Sequence, residues 1–164
     1  AFLIPLVEVV PSVKTSAATI QSIVRFLISV GKRPIVLKRE IPGFVASRLQ
    51  GALLREALWI VENGVAEAQD VDRAIKTSIG RRWSVAGVFE VLDIAGWDLM
   101  HSYAKSLFPH LASGPEVPRV LNERVERGEL GLKTGKGFNE WTPKSANCLK
   151  QRIAAALIEI DRWS

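Results

Sequence analysis

The chain has 164 residues, of which 48% are hydrophobic and 24% charged, a globular composition sufficient for one domain of usual size or for one plus part of another. The 22 Lys and Arg against 17 Asp and Glu leave a net charge of +5, yet no stretch joins a dense basic run to interleaved aromatics, which argues against a nucleic-acid partner. The single cysteine, Cys148, excludes an internal disulfide and fits a reducing, cytoplasmic setting, and no apolar run or signal peptide points to a membrane.

The first element is "LIPLVEVVPS", in which Pro5 opens and Pro11 closes a run of branched residues that predicts a strand over 4–10. Glu8 sits in its middle. An ionised carboxylate taken out of water costs several kcal/mol or more unless compensated, so Glu8 either lies on an exposed face or meets a specific group. "SAATIQSIVRFLISVG" follows, with Ile20, Ile23, Val24, Leu27 and Ile28 at helical spacing and Gly31 as the C′ residue. "RPIVLKR" reads as a second strand. Strand, helix and strand make a βαβ unit, which needs a parallel sheet, and two strands do not complete one. The chain also opens without an initiator Met or a lead-in, so the expectation is a piece of a longer protein with the rest of the sheet upstream.

From Gly43 to Glu62 the pattern is apolar nearly all round, which predicts a helix buried in the centre of its domain and stopped at Gly64. "AEAQDVDRAIKTSIG" predicts a helix ending at Gly80. Residues 84–108 give one or two helices divided near Gly96, and "PEVPRVLNERVERGEL" gives another ending at Gly128 or Gly131. The last helix is marked by Thr142 as N-cap and Pro143 at N1, and is expected to run through Trp163. The fold class is therefore mainly α: the end of an α/β sheet over 1–40, then an all-helical domain over 41–164.

"LIPLVEVVPS", "IPGFVASRLQGALLREALWIVENGVAEAQDVDRAI" and "GLKTGKGFNEW" together, in order and over nearly the whole chain, resemble the C-terminal half of the NAD-dependent L-3-hydroxyacyl-CoA dehydrogenases. The resemblance implies a Rossmann-type NAD-binding domain ending near residue 40 and a helical C-terminal domain that pairs two subunits. It implies oxidation of a 3-hydroxyacyl-CoA to the 3-ketoacyl-CoA in fatty-acid metabolism, with hydride passing to NAD. Carried onto this sequence, Glu8 is the acid that steadies the family's catalytic histidine, which would lie upstream of residue 1. An anion beside an imidazole raises its basicity and fixes its tautomer. In "PGFVASRLQ" the family usually has Asn where Ser47 stands; Ser47 then lines the substrate pocket with a shorter donor and no amide fork.

"GLKTGKGF" is not a phosphate loop of Walker type, because Lys136 stands where the second Gly should be and Gly137 where the Lys should be. By resemblance, Lys133 reaches toward NAD and Phe138 anchors the loop, while Asn139 replaces the family's frequent Tyr. His101 and His110 have no acidic partners at ligand spacing, so no metal is expected. Glu90 and Asp93 read as scaffold, and Trp59, Trp83, Trp97, Trp141 and Trp163 as core or interface. The isolated chain is expected to be inactive. Two alternatives remain beside the leading one: a non-catalytic helical dimerisation module, and a related dehydrogenase of 3-hydroxy acids or sugar acids that does not use CoA.

Overall fold

In the computed structural model, which describes residues 3–161, the branched residues after Pro5 form strand β1 (Leu6–Val9), and Arg33–Val36 forms β2. Both strands are shorter than their apolar runs. They pair in parallel, Glu8 standing opposite Ile35, and the ladder closes with the Leu37 amide on the Val9 carbonyl at 2.9 Å. The crossover is helix α1 (Ala17–Ser29), started by Ser16, whose hydroxyl accepts from the Thr19 amide. The expected βαβ unit is present with its parallel sheet.

The chain divides into two compact units, residues up to 52 and residues from 53 on. The helices after the sheet are α2 (Ala46–Glu62), α3 (Ala68–Thr77), α4 (Ile79–Trp83), α5 (Val88–Ala95), α6 (Trp97–Leu107), α7 (Arg119–Glu126) and α8 (Pro143–Asp161). Thr142 and Pro143 open α8 as expected, the Thr142 hydroxyl accepting from the Ser145 amide at 3.1 Å. The expected continuation to Trp163 lies outside the described residues. Three helices end in one hydrogen-bond pattern. After α1, Lys32 and Gly31 donate to Leu27 and Ile28; after α2, Val65 and Gly64 donate to Ile60 and Val61; after α7, Glu129 and Gly128 donate to Arg124 and Val125. This is the Schellman arrangement, with the glycine at C′. It fixes the end of α7 at Gly128 rather than Gly131. Gly96, at φ +89°, divides α5 from α6 where expected.

Two expectations need correction. The helix predicted to end at Gly80 ends at Thr77, with Ser78 as its C-cap, and Gly80 lies inside the separate short helix α4. Its role is close approach: a Cβ there would stand 2.8 Å from the Ile75 carbonyl oxygen. The all-round apolar helix begins at Ala46 rather than Gly43, and it is not buried in this chain. Leu58 alone of its residues is buried, while Leu49 and Leu54 are 62% and 52% exposed. An apolar pattern states that a surface needs covering; it does not state that this polypeptide covers it. The two carboxylates of its second half are put to structural use. Glu56 accepts from the Ala112 amide at 2.8 Å and Glu62 from the Val120 amide at 3.1 Å, which supplies the cap that Pro118 lacks at the start of α7. Among the described residues, no helix is long and apolar enough to cross a membrane.

Candidate functional site

Glu8 does not face open water. Its Oε1 accepts from the Val45 amide at 2.7 Å and from the Ala46 amide at 3.3 Å. Val45 is the N-cap of α2, since its carbonyl takes the Leu49 amide, and a valine side chain cannot cap. The carboxylate from β1 takes over that task, satisfying orphan amides and placing negative charge at the positive end of the helix macrodipole. The turn before it is unusual: Gly43 has φ +79° and Phe44 φ +48°. A left-handed Phe costs on the order of 1–2 kcal/mol, and this strained turn leads directly into the two amides that Glu8 holds. Among the described residues, no group bonds Oε2 of Glu8, so one oxygen is committed to the helix and the other is left for a further donor.

Ser47 follows at once on the first turn of α2, exposed, so the structure brings Glu8 and Ser47 to one helix end. Among the described residues its hydroxyl has no partner. Lys133 belongs to the second unit and stands in the turn of a tight loop. The Gly131 amide donates to the Lys136 carbonyl at 2.7 Å, and the Leu130 amide donates to the Thr134 hydroxyl at 2.9 Å. Lys133 is exposed and, among the described residues, makes no hydrogen bond or ion pair.

The rest of that motif is a lock that periodicity did not reveal. Glu129, its side chain 13% exposed, bridges Arg124 at 2.7 Å and Lys136 at 3.0 Å. Arg124 also donates to the Gly137 carbonyl at 2.8 Å and lies 4.0 Å from the centre of the Phe138 ring, a cation–π contact. The hydrogen bond from Lys136, against some desolvation and with help from the Lys136, Arg124 and Arg127 charges, holds the Glu129 carboxyl below its ordinary value. Phe138 anchors the loop as expected. Asn139 is no loose substitute for a Tyr, because Gln69 donates to its Oδ1 at 3.1 Å and to the Phe138 carbonyl at 3.0 Å.

Residues 43–141 match the sequence profile of the 3-hydroxyacyl-CoA dehydrogenase C-terminal domain, and residues 1–41 match that of the 3-hydroxyacyl-CoA dehydrogenase NAD binding domain. The chain belongs to the 3-hydroxyacyl-CoA dehydrogenase family. Within that family it is 34% identical over 160 residues to a 5-formyl-3-hydroxy-2-methylpyridine 4-carboxylate 5-dehydrogenase of Mesorhizobium japonicum, covering 98% of this chain and 52% of the relative. It is 45% identical over 150 residues to an L-carnitine dehydrogenase of Pseudomonas syringae, covering 85% and 47%. The crystal structure of a 5-formyl-3-hydroxy-2-methylpyridine 4-carboxylic acid 5-dehydrogenase, an NAD+-dependent dismutase, superposes with a TM-score of 0.93 at 34% identity, covering 98% of this chain and 52% of that one. The chain spans about half the length of the curated relatives it matches.

The NAD implied by the family can be tested against the residues present. Of the loop's two lysines, Lys136 is neutralised by Glu129, while the Lys133 ammonium is exposed and unpartnered among the described residues. A strongly hydrated point charge in that state fits a ribose or pyrophosphate oxygen. Lys133 therefore fits the group.

Proposed function

We propose that the complete protein is an NAD-dependent dehydrogenase that oxidises the hydroxyl of a small 3-hydroxy acid without CoA, with residues 1–40 ending its NAD-binding domain and 41–164 forming its helical domain. The observation that carries the reading is the seating of Glu8, one oxygen fixed by the start of α2 and the other unbonded among the described residues. In that state Oε2 can accept from an imidazole N–H supplied by upstream polypeptide, holding the ring so that its other nitrogen takes the substrate hydroxyl proton. NAD, when bound, accepts the hydride. Ser47, one residue beyond the amides that Glu8 holds, offers a hydroxyl donor to the substrate oxygen, and Lys133 binds the dinucleotide.

Two features support a free acid over the CoA thioester expected first. Ser47 replaces the family's usual Asn, and the relatives reported above are named for a pyridine carboxylate and for L-carnitine, neither of them a thioester. Steady-state rates for the complete protein on L-carnitine, L-3-hydroxybutyrate and L-3-hydroxybutyryl-CoA decide this. A free acid should exceed the thioester in kcat/KM by at least about tenfold, the discrimination that a modest difference in pocket contacts supplies. The reverse order restores the 3-hydroxyacyl-CoA reading. The 164-residue chain alone, with no histidine before His101, should turn over none of them.

A second reading concerns assembly. Leu49 and Leu54, together with Trp59 at 39% exposed, leave apolar surface along α2, and a second copy of the chain is the partner we propose to cover it. Sedimentation at micromolar concentration should find a dimer; a strict monomer removes the pairing.

A further inference from the structure

We propose that Glu129 is a positioning residue for Lys133: bridging Arg124 on α7 and Lys136 beyond the turn, it holds the 130–137 loop in the shape that presents one lysine, and not two, to the dinucleotide. The inference rests on the reading of Lys133 given above and adds the device that makes it work.

The geometry assigns the role. Each carboxylate oxygen of Glu129 has its own cation, Oε2 with Arg124 and Oε1 with Lys136. Arg124 precedes the loop and Lys136 closes it, so the carboxylate braces one end of the loop against the other. Arg124 is held in turn by the Gly137 carbonyl and the Phe138 ring. The loop has little room to relax: a Cβ on Gly137 would stand 2.9 Å from the Gly131 Cα. The Glu129 side chain is 13% exposed and that of Arg124 25%, against 55% for Lys136, so the pair with Arg124 is the better shielded from solvent. Lys133 sits on the turn between the braced ends. Neutralising Glu129 would loosen that turn and with it the placement of Lys133.

The test is a double-mutant cycle in the complete protein, read as the Kd for NADH by fluorescence titration, so that turnover is not needed. Glu129→Gln should weaken NADH binding about tenfold, the size of one lost charged hydrogen bond. Lys133→Ala should weaken it similarly, and the double variant should bind as Lys133→Ala does, because Glu129 acts through Lys133. Additive losses would show a general structural role and overturn the proposal. Wild-type binding by Lys133→Ala refutes the reading of Lys133; a weakened Lys133→Ala beside an unchanged Glu129→Gln refutes the positioning role alone. Amide hydrogen exchange at Gly131, Gly137 and Trp141 should speed up in Glu129→Gln and stay slow in Lys133→Ala, and equal rates overturn the bracing. Should Glu129→Gln fail to fold, Lys136→Met removes half of the brace and must itself weaken NADH binding, in the same direction and by less.

Discussion

Replacing Glu8 by Gln in the complete protein is expected to lower kcat about 100-fold or more, the usual contribution of a positioned acid–base group, while the protein remains folded. The substitution separates the two tasks of this side chain. A Gln side-chain oxygen can still accept from the Val45 and Ala46 amides, so α2 keeps most of its cap and loses only the charge at its N-terminus, worth about 0.3–1 kcal/mol. What Gln cannot do is stabilise an imidazolium. Glu8→Ala removes both functions and leaves two amides without their acceptor, so it should lower the unfolding midpoint as well as the rate. Steady-state kinetics beside thermal unfolding reads the difference. A Glu8→Gln enzyme running at the wild-type rate takes Glu8 out of the chemistry and leaves it as a helix cap supplied by a strand.

That cap explains what the sequence could and could not disclose about the site. The odd acid in "LIPLVEVVPS" was legible as a residue that needs a partner, because taking a carboxylate out of water is costly unless something compensates it. Its partner within this chain was not legible. The Val45 and Ala46 amides are 37 and 38 residues further on, and a backbone N–H carries no letter in the sequence. The only signal was indirect: a valine at the N-cap, where Ser, Thr, Asp or Asn is preferred. Glu129 was missed for a similar reason. It reads as an ordinary acid after a helix, and only the placement of Arg124 and Lys136 on its two sides makes it a brace.

Helix ends divide along the same line. Gly31, Gly64, Thr142 and Pro143 mark their boundaries by chemistry confined to a few consecutive residues, and each boundary stands where those residues put it. Gly80 misleads because a glycine can serve conformation or clearance, and which one it serves here depends on the Ile75 carbonyl one turn back. The Gly43–Glu62 pattern misleads about burial because composition reports the need for a covering surface and nothing about its source.

The same helix carries the largest stability effect expected in the chain. Leu58, 5% exposed, is one of two buried hydrophobic residues among those described, the other being Leu37 in the first unit. It lines a cavity of about 140 Å³ together with Leu54, Val61, Val71 and Phe138. Leu58→Ala should lower the unfolding free energy by about 2–5 kcal/mol, through lost transfer energy and an enlarged void. Two features pull within that range. The cavity is already open on one side, so its walls can close partly around an alanine, which favours the lower end. Against that, Phe138 is pinned by Arg124 and its carbonyl by Gln69, so that wall cannot follow. The balance points to about 3 kcal/mol. Urea unfolding followed by tryptophan fluorescence measures it, and a loss under about 1 kcal/mol would mean that the helical unit does not depend on the packing around Leu58.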